Sequence, residues 1–146
     1  MAELSIQVEG VKEAVEALGR LELQKRAAMR GAVARTLVDG EAHLKRLLSE
    51  PGSGRVYTRR SVSHQASAPS EAPAPDTGVY RNSWHRRTHA GGQGGELYTA
   101  QERADALEYG SEDGTLKPRP HAGPTAEHMA ADFVTNSKRA LARATA

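Results

Sequence analysis

The chain has 146 residues, which suits one domain, and 38% of them are hydrophobic, below the roughly 45–50% of an average globular chain. It has one Phe, one Trp and no Cys, so the core must be built from Ala, Leu and Val, and disulfides, thiolate zinc sites and a cysteine nucleophile are excluded. The net charge of +2 is too small to name a partner.

In chain order, Leu4, Ile6 and Val8 alternate with Ser5 and Gln7, the pattern of a short half-buried strand. Nothing in the first residues pairs a basic segment with an apolar run, so no export signal is expected. Val11, Ala14, Val15, Leu18 and Leu21 fall at helical spacing and predict a first helix over 11–23, with a bend or stop at Gly19. Met29, Val33, Leu37, Leu44, Leu47 and Leu48 predict a second, longer helix over 24–49, stopped by Pro51-Gly52. Residues 51–77 change character. Pro69, Pro73 and Pro75 favour extended backbone, and the segment reads as a long arm within the single domain 1–146, mobile when free.

Asp76-Thr77-Gly78 marks a turn, or a cap opening a helical turn over 79–87 that leads into a strand. The glycine-rich stretch 90–95 reads as a hairpin tip, and 96–100 as the returning strand. Residues 101–109 fit a helix or a turn before a strand. After a Pro-containing loop over 110–124, Met129, Phe133, Ala140, Leu141 and Ala144 line a terminal helix over 125–144. The expected fold is α+β: a small antiparallel sheet packed by two N-terminal helices and a C-terminal helix, with a long extended arm. No stretch approaches the roughly 18 apolar residues of a membrane helix.

No chemistry of an enzyme stands out. His85 and His89 are four apart and would share a face on a helix. A two-His metal site also needs a third ligand and a glutamate in register, and the intervening residues are Arg86, Arg87 and Thr88. His43, His64, His121 and His128 sit in unrelated contexts. Pro51–Arg55 lacks the spacing and lysine of a phosphate loop, and 90–95 lacks a dinucleotide fingerprint. Glu108 lacks the second carboxylate that acid–base chemistry would ask for. No catalytic residue, metal ligand or cofactor is expected.

The charge distribution says more than its total. Residues 51–89 hold six arginines, Arg55, Arg59, Arg60, Arg81, Arg86 and Arg87, against Glu71 and Asp76, a local surplus of four positive charges. Tyr57, Tyr80 and Trp84 are interleaved with them. Arginine with aromatics grips single-stranded nucleic acid, but the same residue types anchor protein interfaces. An inter-subunit surface is the stronger reading, because no recognition helix or RNA-binding signature accompanies the basic residues.

Three segments together resemble a known family. Ala66-Ser67-Ala68-Pro69 through Asp76-Thr77-Gly78-Val79-Tyr80-Arg81-Asn82-Ser83-Trp84 is similar to a signature of a Pro-containing linker, a Thr-Gly turn and a short amphipathic segment. Ala106-Leu107-Glu108-Tyr109-Gly110-Ser111 looks like that family's strand end, and Lys117–Pro124 like the proline-rich loop before its last helix. The family is the HK97 gp10-like group of tailed-phage proteins, which includes relatives of minor tail protein Z. The resemblance spans about residues 5–145. Tyr80 stands where the family has Leu, Trp84 where it has Ile or Val, His121 in place of Phe and Gly123 in place of Arg.

The resemblance implies a non-enzymatic structural protein of the phage virion, assembled in the bacterial host cytoplasm. Its role would be neck assembly or tail completion at the head–tail junction, as a homo-oligomeric ring with a hexamer favoured over a dodecamer. The implied partners are head-closure or connector proteins and tail terminator or tail-tube proteins. Tyr57, Tyr80, Trp84, Glu108 and Tyr109 are the expected interface residues. Sheet edges near Leu97 and Leu107 are expected to pair between subunits. Arg55, Arg59 and Arg60 are candidate DNA-facing residues, touching packaged DNA without sequence preference, with pairing to acids on a neighbouring subunit as the alternative. The alternatives are a basic nucleic-acid-binding module and, with no supporting pocket of titratable residues, a small hydrolase or toxin.

Overall fold

The computed structural model describes residues 9–146. The expected strand at Leu4, Ile6 and Val8 lies outside them. The described elements are α1 (Val11–Leu47), β1 (Val56–Arg59), β2 (Val62–Gln65), α2 (Val79–Asn82), β3 (His85–Thr88), β4 (Gly95–Tyr98), α3 (Ala104–Tyr109) and α4 (Ala122–Ala144), with a 3-10 turn at Ala90–Gly92 between β3 and β4. The fold is α+β, and the sheet content is two separate antiparallel hairpins, β1–β2 and β3–β4, rather than the expected single sheet.

The first correction is at the N-terminus, where one helix of 37 residues replaces the expected pair. No proline occurs between Val11 and Glu50. A glycine such as Gly19 weakens a helix by about 1 kcal/mol without breaking it. Ion pairs one turn apart add support along the shaft: Glu22–Arg26 at 2.6 Å, Arg35–Asp39 at 2.8 Å and Glu41–Lys45 at 2.6 Å. Lys45 and Arg46 occupy the last turn, where the helix dipole favours cations, and Pro51 follows. At 1.5 Å per residue α1 is about 55 Å long.

α4 lies antiparallel against the second half of α1. Met129 fills the space over Gly40, and a Cβ there would overlap its side chain. Nearer the end of α4, Asn136 donates to Thr36 Oγ1 at 3.1 Å. The β3–β4 hairpin covers another face of α1. Gly95 on β4 leaves no room for a Cβ between Leu37 and the Arg87 carbonyl, so a side chain here would push the hairpin off the helix. Arg86 on β3 bonds Glu41 on α1. The core forms where these pieces meet: Leu44 of α1 and Leu48 just past its end with Tyr80 and Trp84, flanked by Leu97, Ala104, Leu107 and Ala122.

Residues 104–109 are helical, which settles the ambiguity of 101–109 and corrects the strand end that the resemblance implied. Ala104, Ala106, Leu107 and Glu108 are strong helix formers, and Gly110 at φ 87° ends the helix in a conformation that suits glycine. Leu107 therefore offers no sheet edge to a neighbour. It packs into the core instead.

Residues 51–77 are also not a simple extended arm. Their first half is the β1–β2 hairpin, and its pairing continues through Gly54 N–H to Ala66 O at 2.8 Å and Ala66 N–H to Arg55 O at 2.9 Å. Gly52 makes this return possible, because a Cβ on it would collide with the Ala66 carbonyl. Their second half folds back on the body, with Ser67 and Pro73 buried and Ser70 N–H donating to Pro118 O at 3.0 Å. No helix among the described residues is long and apolar enough to cross a membrane.

Candidate functional site

The residues singled out in the sequence divide into an exposed group and a buried group. The exposed group is the β1–β2 hairpin. All of β1 is exposed, and on β2 only His64 is half-buried. A two-residue turn, Arg60-Ser61, joins the strands with φ of 49° and 68°. Positive φ at both central residues matches the twist of a tight hairpin, but asparagine and glycine are the residues that adopt it without strain. Arg55 lies over the Tyr57 ring at 5.2 Å, within cation–π range, and Arg59 approaches Asp76 at 3.6 Å. Arg55, Arg59, Arg60 and Tyr57 thus share one projecting element. Between this element and the chain after Pro73 lies a cleft whose lining includes Arg59, Arg81 and Arg103 with Asp76, beside Leu48, Tyr80 and Leu107.

Glu71 fastens this element to the chain. Its carboxylate accepts the Ser53 hydroxyl, the Ser53 N–H at 3.0 Å and the Ala68 N–H at 2.8 Å. Those donors, the Ser53 hydroxyl first, hold the Glu71 carboxyl below the usual carboxylate range. The expectation that the arm orders only on docking is corrected by this tether and by the hairpin ladder, which supply its partners within the chain.

The buried group centres on His121, which is 0% exposed. Its Nδ1 lies 2.7 Å from Arg119 O and 3.0 Å from Glu108 Oε2, both acceptors, so Nδ1 carries the hydrogen. Nε2 then accepts the Tyr80 hydroxyl at 2.6 Å. Trp84 completes an edge-to-face trio, with ring centroids 6.2 Å from Tyr80 and 5.8 Å from His121. Burial pushes the Tyr80 hydroxyl up to about 12, so it stays a donor at neutral pH.

Glu108 closes the start of α4. It accepts N–H groups from His121 at 2.8 Å, Ala122 at 2.9 Å and Gly123 at 2.8 Å. The next residue, Pro124, has no N–H, so every donor of the first turn is accounted for. Burial alone would raise the Glu108 carboxyl; the three N–H groups outweigh it and hold the carboxyl below the usual range.

This arrangement corrects the expected interface. Tyr80 and Trp84, each 8% exposed, are core residues and cannot anchor a partner, because their rings are already packed against His121 and against each other. Glu108 is a helix cap. Tyr57 at 49% and Tyr109 at 77% exposure remain available at the surface. His85 and His89 do not share a helix face: His85 is on β3, and His89 follows it and lies 3.8 Å from Glu96. His43 and His128, which the sequence leaves unconnected, stack at 3.9 Å across the α1–α4 seam. Their positions on two facing helical stripes were the available signal. His121 in a place where the resemblance has Phe was the signal for the buried trio. Among the described residues no group of three or more His, Cys, Asp or Glu is placed to hold a metal ion.

Compared with known proteins, the chain matches no family model, no curated protein and no solved structure.

Proposed function

We propose that the chain is a structural subunit of a tailed-phage particle, acting at the head–tail junction in neck assembly or tail completion as a homo-oligomeric ring. The reading rests on the order of the three resembling segments. In the structure, one observation supports it: the hairpin bearing Arg55, Arg59 and Arg60 keeps seven of its eight strand residues exposed, on a tether made by Glu71. An element that buries almost nothing within its own chain is suited to a surface outside it.

In the ring, the hairpin reaches a neighbouring subunit or a neck protein, with Tyr57 and Tyr109 as the aromatic contacts. Arg55, Arg59 and Arg60 line the lumen and meet DNA phosphates without sequence preference. The chain performs no catalysis in this reading. Head-to-tail contacts close a ring when the rotation per subunit allows it.

A second reading, a basic nucleic-acid-binding module, is favoured by Arg55 over Tyr57, a pair suited to holding an unstacked base. Light scattering on a size-exclusion column, with the protein alone and with purified tail tubes, separates the two. A discrete ring, or a subunit that becomes tube-bound, supports the particle role. A protein that ignores tubes and binds DNA with an affinity falling as salt rises overturns it in favour of the module.

A further inference from the structure

The N-terminal part of α1 has no cover within the described chain. α4 ends at Ala144, and its last turns share a cleft with Ala28, Gly31 and Ala32 of α1. Residues 11–27, about 25 Å of helix at 1.5 Å per residue, run on past that end. All of them except Leu21 are exposed. Val11 is 60% exposed, Val15 62%, Leu18 65% and Leu23 66%.

Of these, Val11 and Leu18 continue a packing face, with Val15 on its flank and Leu23 on the opposite side of the helix. α1 meets α4 through Thr36, Gly40 and His43. Stepping back along that face by 3.6 residues leads through Ala32 and Ala28 to Lys25, Leu21, Leu18, Ala14 and Val11. The spacing of 11, 14, 18, 21, 25 and 28 is the alternating three and four of two paired helices. The seam that holds the body together therefore goes on beyond the helix that fills it.

Charge selects what fills the rest. From Glu9 to Leu18 the charged residues are Glu9, Lys12, Glu13 and Glu16, a net of two negative charges. From Arg20 to Arg30 they are Arg20, Glu22, Lys25, Arg26 and Arg30, a net of three positive charges. This gradient also suits the helix dipole. Its further consequence is that two copies laid antiparallel set acid against base at both ends, whereas two parallel copies set like charges side by side. Setting Leu18 against Leu21 of the second copy brings Glu13 abreast of Arg26 and Glu9 abreast of Arg30. The contact uses the same patch on both chains, so it closes on itself.

We propose that residues 11–28 of α1 form an antiparallel helix pair with the same segment of a second copy of this chain. The pairing stands apart from the particle reading, and tail tubes are not needed for it. It covers the apolar stripe and gives the extension the tertiary packing from which helices in water draw most of their stability.

The test uses the full chain, whose lack of cysteine makes single-cysteine variants clean. Under mild oxidation Leu18→Cys, close to the two-fold axis, gives a disulfide-linked dimer, while Val11→Cys alone does not, because its two copies sit at opposite ends. Val11→Cys mixed with Ala28→Cys links the two variants. Leu18→Glu halves the mass measured by light scattering and leaves the circular dichroism melt of the body unchanged, since Leu18 is exposed in the single chain. Linkage at Val11 as readily as at Leu18 overturns the antiparallel arrangement. An unchanged mass for Leu18→Glu, or a monomeric parent chain at the same concentration, overturns the pairing. Tail-tube binding that fails while these crosslinks form removes the particle reading and leaves the helix pair standing.

Discussion

At the scale of single residues, Glu108 is the position where sequence and structure diverge most. It looks like a lone carboxylate in search of a chemical role, and it is instead the acceptor for three backbone N–H groups of another element. Glu108→Ala leaves those donors without an acceptor at a partly buried helix start. It should lower stability by about 2–3 kcal/mol at neutral pH, read from denaturant melts. The pH dependence has a definite sign. A carboxyl held below its ordinary value contributes stability that is full above the unfolded value and is lost as pH falls through the folded one. The gap between parent and variant should therefore narrow on acidification. A gap that stays constant into strong acid would show that packing, not the cap, accounts for the loss.

At the scale of elements, two features have measurable consequences. The β1–β2 turn places Arg60 and Ser61 at positive φ, which costs a residue with a Cβ roughly 1–2 kcal/mol relative to a left-handed-tolerant one. Replacing the pair with Asn-Gly (Arg60→Asn with Ser61→Gly) should stabilise the hairpin by about 1 kcal/mol, read as slower amide exchange along Val56–Gln65. Unchanged exchange would mean that the turn is not strained.

The α1–α4 seam holds the second feature. Burial first, then the neighbouring His128 and Arg46, lower the proton affinity of His43. Asp132 on α4 and Glu50, just beyond α1, act in the opposite direction. Arg46 lies 2.9 Å from His43 Nδ1, which must act as its acceptor and so lacks a hydrogen. A histidine whose folded value is lowered binds fewer protons folded than unfolded, so stability rises with pH through that window and is lost as pH falls below the ordinary histidine value. His43→Gln should flatten this dependence between neutral pH and about pH 5. A variant with the parent's slope would remove His43 as its source. The sequence leaves the two histidines in unrelated contexts; their contact needed the antiparallel register of the helices.

At the scale of the whole molecule, the body and its two projections behave differently. α1, α4 and the β3–β4 hairpin enclose the core, while the β1–β2 hairpin and residues 11–27 bury little. Replacing Arg55, Arg59 and Arg60 together by Gln should leave the melting temperature within a few degrees of the parent, since exposed charges contribute little to folding. Under the proposed particle role it should leave the ring intact and weaken DNA retention. A ring lost with these charges would put them between subunits instead of in the lumen.

The sequence by itself determined the elements whose signal is local. The terminal helix, the turn at 76–78, the β3–β4 hairpin with its glycine tip and the stop at Pro51 all follow from periodicity and turn chemistry within a few residues. It also determined the α+β class and the basic character of 51–89. What it misplaced depended on partners far along the chain. Gly19 reads as a break, yet a helix nucleated on a packed second half propagates through it. The proline-rich segment reads as loose, yet Glu71 and Pro118 supply its acceptors. Tyr80 and Trp84 carry the composition of an interface, and only the arrival of His121 across the fold makes them core. Local propensity acts over a turn or two, whereas burial and hydrogen-bond satisfaction are decided by whatever the completed fold brings alongside.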